Sequence, residues 1–74
     1  MARPLSELDP GESGKVTEMS GDPDAVRRLM DLGVIRGTTV AMVRRAPLGD
    51  PLEVRVRGFM LTLRRAEAEH ITVE

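Results

Sequence analysis

Glu67 and His70 are the pair best placed for metal chemistry in this 74-residue sequence. Three positions apart, they would share one face of a helix, the Glu-x-x-His spacing of di-iron carboxylate bundles. Those bundles need the motif twice. Here it occurs once, in a segment with barely one turn of helix-favouring residues, and His70 is the only histidine. Glu69 and Glu74 add carboxylates without a spacing that defines a geometry. Glu67 and His70 are kept as weak candidate ligands, and no resident metal or cofactor is expected.

Other reactive chemistry finds less support. The absence of cysteine removes disulfides, thiolate zinc sites and a thiol nucleophile. The serines and threonines sit in no nucleophile motif. The seven glycines are scattered singly along the chain, so no phosphate-cradling loop is present. No catalytic residue is assigned, and the chain is not expected to be an enzyme.

Residues suited to contact are easier to find. Pro47-Leu48-Gly49-Asp50-Pro51 is a loop stiffened by two prolines, with Leu48 at its tip. A stiff loop presents an apolar side chain to a partner at low entropic cost. Arg28, Leu29 and Met30 lie at the end of an amphipathic helix. Leu29 suits the core, whereas Arg28 and Met30 suit a charged-rimmed apolar patch. Phe59, beside Gly58 at a hairpin tip, either folds back over the barrel end or anchors a partner. Arg28, Leu29, Met30, Leu48 and Phe59 are therefore the candidate partner-binding residues.

The elements that position them follow from periodicity. Residues 1–14 read as an arm with apolar anchors at Leu5 and Leu8, and residues 15–19 as a short strand. Asp22 suits a helix N-cap, Pro23 the first helical position, and Val26, Leu29 and Met30 share a face through Leu32 until Gly33 stops the helix. Thr38 to Arg45 reads as a strand with Val40 and Met42 inward. Leu52, Val54 and Val56 alternate with Glu53, Arg55 and Arg57, and Leu61 and Leu63 continue the pattern beyond Gly58, giving a hairpin over 51–64. A turn of helix at 65–70 and a strand at 71–73 finish the chain. Five short strands and one helix imply a small barrel, which would leave no open edge. One domain over residues 1–74 is expected, with the arm packed on the barrel.

Charge and composition narrow the partners. Net charge is −1, yet residues 27–65 carry nine basic and three acidic side chains between acidic ends. With no Trp, no Tyr and a single Phe, neither a proline-rich peptide groove nor a stacking platform for single-stranded nucleic acid is supported. A small RNA-associated β-barrel is the reading that the arginines of residues 44–65 keep open. No leader or membrane-spanning stretch is evident, so a cytoplasmic protein without membrane insertion is expected.

Four pieces in register resemble the FeoA family, small proteins that accompany the bacterial ferrous iron transporter FeoB. They are Arg-Leu-Met-Asp-Leu-Gly (28–33) with Gly37 and Val40, Ala-Pro-Leu-Gly-Asp-Pro (46–51), Leu63 to Glu67, and Ile71 with Val73. The resemblance implies an SH3-like β-barrel with the helix inserted after the first strand. It also implies no enzymatic activity and a regulatory contact with the cytoplasmic GTP-binding region of a FeoB-type transporter in ferrous iron transport. Weak homo-oligomerisation is left open. The nearest alternative is the C-terminal domain of iron-dependent repressors, which looks similar.

Overall fold

The computed structural model describes all residues 1–74. Six strands and two helices follow one another as β1 (Arg3–Pro4), β2 (Ser13–Met19), α1 (Pro23–Asp31), β3 (Thr39–Arg45), β4 (Leu52–Val56), β5 (Phe59–Leu63), α2 (Arg65–Ala68) and β6 (Ile71–Val73). A 3-10 turn, Leu5–Glu7, separates β1 from the loop before β2. All pairings are antiparallel, in the order β1-β6-β2-β3-β4-β5.

Alternation decides which side chains enter the core. Val40 and Met42 from β3, Leu52, Val54 and Val56 from β4, and Leu63 from β5 are buried, as period two requires. Val16, Ile71 and Val73 extend the same core across β2 and β6, and Leu5 and Leu8 cap it from the arm. Bulges interrupt the pairing between Met42 and Arg44 in β3 and between Val16 and Glu18 in β2. Such irregularities bend a strand, which helps a short sheet curl around its core.

Two expectations need correction. The arm contributes a sixth strand, β1, paired with β6 through Arg3 opposite Val73 and Pro4 opposite Thr72. Two residues are too few to show a period, and Pro4 lacks the N–H that a strand normally donates, so pattern alone gave no sign of it. The small barrel is as expected, but its edge is not closed by hydrogen bonds. No pairing joins β5 to β1, and β5 is left as an edge.

Helix α1 stops as its sequence requires. Gly33 takes φ +100°, the N–H of Gly33 donates to the Met30 carbonyl at 3.0 Å, and the N–H of Val34 donates to the Leu29 carbonyl at 2.9 Å. That is the Schellman arrangement, and its usual apolar contact is present because Val34 and Leu29 are both buried. At the other end Pro23 occupies the first turn as expected. Asp22 stands at the cap position, but its side chain makes no capping hydrogen bond, and its carbonyl accepts the first helical bond from Val26 at 3.0 Å.

Candidate functional site

Helices α1 and α2 enclose an open cleft of about 220 Å³. Its floor is apolar, from Ala25, Val26, Leu29 and Ala66, and its rim holds Ser20, Asp22, Glu67 and His70. Glu67 is already engaged: its carboxylate pairs with the Arg28 guanidinium and accepts the Arg64 N–H at 3.0 Å, capping α2. His70 is exposed, and its carbonyl accepts the Ser20 N–H at 2.9 Å, tying β2 to the end of α2. No group of three or more His, Asp or Glu side chains converges where a metal ion could be held. The Glu-x-x-His pair therefore sits on the cleft rim, with its carboxylate committed to an arginine and a helix cap.

A second groove, of about 310 Å³, lies along α1 between Met19, Val26, Met30 and Arg36. Val26 lines both. Met30 is 49% exposed there, while Leu29 is 2% exposed and supports the helix from beneath. Arg28 is half exposed and held toward α2 by Glu67. The structure thus brings Arg28, Leu29, Glu67 and His70 to one cleft and Met30 to the neighbouring groove.

Leu48 and Phe59 line neither. The Leu48 loop is closed by backbone bonds from Gly49 to Ala46 at 2.7 Å and from Ala46 to Pro51 at 3.0 Å. Asp50 anchors it by accepting the Arg65 N–H at 3.1 Å, at the start of α2. Leu48 stands out at 95% exposure on this braced support. The hairpin before Phe59 turns through two residues of positive φ, Arg57 at 52° and Gly58 at 83°, the signature of a type I′ turn. Phe59 does not fold back over the barrel end. It is 69% exposed, whereas Val56, opposite it, is buried.

Two exposed apolar residues escaped sequence reasoning. Met60, 47% exposed, and Leu32, 44% exposed, are not among the candidate contact residues drawn from the sequence. Met60 had a signal, since it lies on the polar side of β5, where an apolar residue has no core to enter.

One titratable group is clearly displaced. Glu12 accepts the Asp9 N–H at 2.8 Å and pairs with Arg3 at 3.2 Å. The backbone hydrogen bond, followed by the bond to Arg3, holds its carboxyl below the ordinary glutamate value. This joins the turn at residues 9–12 to β1 and contributes no chemistry to either cleft. No helix is long and apolar enough to cross a membrane.

The family model of the FeoA domain matches residues 3–74. A fusion of Fe(2+) transport protein A with the Fe(2+) transporter FeoB, from Porphyromonas gingivalis, is 34% identical over 70 residues, covering 95% of this chain. The chain spans 8% of that relative's length. Among solved structures, the FeoA protein of Chlorobium tepidum superposes with a TM-score of 0.92 at 52% identity, covering 96% of this chain and 68% of its own. The FeoA of Stenotrophomonas maltophilia, solved in complex with zinc and described as a prokaryotic SH3 domain protein, gives 0.83 at 35% identity, covering 96% and 88%. The fold is accordingly SH3-like, with its helix inserted after β2.

Proposed function

The chain belongs to the FeoA family of ferrous iron transport proteins, and from that premise we propose that it is a non-enzymatic regulatory module acting in the cytoplasm on a FeoB-type transporter. Its site of action is the transporter's cytoplasmic GTP-binding region. The observation that carries this reading is the fusion of the same domain to FeoB in a relative, since fused chains are held together at high effective concentration. The proposed contact residues are Arg28 and Met30 along α1, Leu48 on its braced loop and Phe59 at the hairpin, with Leu29 holding α1 in place from below. Residues 1–74 act as one domain, the arm being part of its body. Kinship with repressor C-terminal domains is the second reading, and the fusion favours transport over it.

A binder shifts a transporter only by its differential affinity for two of the transporter's states. The module therefore acts by binding one nucleotide state of the GTP-binding region more tightly than the other. Titration of the purified module against the GTP-binding region and the intact transporter of the same genome tests this. Affinity that differs between GTP- and GDP-loaded forms is the expected result, and absence of association with either preparation overturns the proposal.

A further inference from the structure

The outer side of β5 has no neighbour. β4 and β5 meet through a two-residue turn, so the residues flanking it, Val56 and Phe59, exchange backbone hydrogen bonds. Alternation along the ladder makes Val54 with Leu61, and Leu52 with Leu63, the next bonded pairs. The N–H and C=O groups of Met60 and Thr62 consequently point away from β4. Neither residue makes a backbone bond outside the sheet pairing. Two donors and two acceptors thus stand in the spacing that an added strand uses. Natural edges are usually blunted by a charge, a proline or a bulge. Phe-Met-Leu-Thr-Leu has none of these, and it pairs with β4 without a register shift.

Glu53, opposite Thr62, is bound to Arg44 at 3.1 Å, so the unpaired charges beside this edge are of one sign. Arg55 lies opposite Met60, its guanidinium 3.8 Å from the Met60 sulfur, and Arg64 continues the same face past Thr62. Arg57 stands at the turn. None of the three has a carboxylate partner, whereas Arg3, Arg28, Arg44 and Arg65 all do. The other face of the strand carries Phe59, Leu61 and Leu63.

We propose that the β5 edge receives an extended protein segment in which acidic and apolar residues alternate. Such a segment bonds Met60 and Thr62 through its backbone, sets its carboxylates on the face of Arg55 and Arg64, and lays its apolar side chains on the face of Phe59 and Leu61. A second copy of this chain is disfavoured, because twofold β5 pairing would merge two basic faces. A nucleic acid would engage the arginines but leave the outward backbone groups of Met60 and Thr62 unmatched. The inference stands whether or not a FeoB-type transporter carries the segment.

The test is an amide-resolved NMR titration of the full chain with acetyl-Glu-Val-Glu-Val-Glu-Val-amide and with its regrouped isomer, acetyl-Glu-Glu-Glu-Val-Val-Val-amide. Only the alternating peptide should shift the Met60 and Thr62 amides and slow their hydrogen exchange. Arg55→Glu combined with Arg64→Glu should weaken it roughly tenfold. Thr62→Pro, which removes an outward donor, should abolish it, and the arginine pair keeps the test decisive if that variant folds poorly. Equal response to both peptides, shifts mapping away from β5, no response at millimolar peptide, self-association through β5, or a short oligothymidylate binding at Arg55 and Arg64 in preference to the alternating peptide would each overturn the proposal.

Discussion

Leu48 and Leu29 are the same residue type in opposite settings, and substitution should separate them cleanly. Leu48→Asp removes an apolar tip that touches no core, so thermal unfolding should be unchanged while association with the FeoB GTP-binding region weakens. Leu29→Ala empties a buried position and should cost about 2–5 kcal/mol, read by urea unfolding. Any loss of binding in Leu29→Ala should then scale with the disordering of α1 beneath Arg28 and Met30. Glu12 makes a third case. Its carboxyl titrates lower in the folded chain than in the unfolded one, so its contribution is present above the ordinary value of 4.5 and lost as pH falls through the depressed folded value. Melting curves of the wild type and Glu12→Gln should differ at neutral pH and converge in acid. Leu29 was legible as core because it falls on a helical stripe, and Leu48 as exposed because two prolines flank its loop. Phe59 was not, since alternation assigns a strand face and is silent on whether the barrel extends far enough to cover its end.

At the scale of elements, Gly14 is required by packing and not by a turn. Gly14 falls at the end of the arm expected over residues 1–14, yet it lies within β2, where a Cβ would come within 2.8 Å of the Val73 side chain. Gly14→Ala should therefore lower the melting temperature by pushing β6 outward, and the companion change Val73→Ala should recover part of the loss. The strands β3 and β4 and the helix α1 were legible because five or more residues repeat one period. β1 and the bulges were not, because two residues define no period and a bulge is a break in one. The Glu67 and His70 pair shows the same limit at the candidate site: the spacing implies one helical face, but α2 ends at Ala68 and leaves His70 in the turn beyond it, while the fold brings Arg28 from α1 to occupy the Glu67 carboxylate.

For the whole molecule, the division of charge along the chain is partly undone by folding. Arg28 pairs with Glu67 and Arg44 with Glu53, while Arg3 pairs with Glu12 and Arg65 with Glu69, all at positions open to solvent. Exposed pairs contribute about 0–1 kcal/mol each and are screened by salt. Raising salt should accordingly leave the melting temperature nearly constant while weakening any association that depends on Arg55, Arg57 and Arg64. Four of the eleven basic side chains are thus paired on folding, and of the unpaired ones Arg55, Arg57 and Arg64 lie beside one sheet edge.

The placement of β6 between β1 and β2 has a consequence for how the chain is made. Of the domain's strands, a ribosome delivers Ile71–Val73 last, yet these three residues join the first strand to the rest of the sheet and bury Ile71 and Val73 in the core. The nascent domain cannot seal until its β6 residues clear the exit tunnel. Where the chain stops there, sealing waits for termination; where another sequence follows, the domain can close during translation and present a finished surface to whatever emerges next.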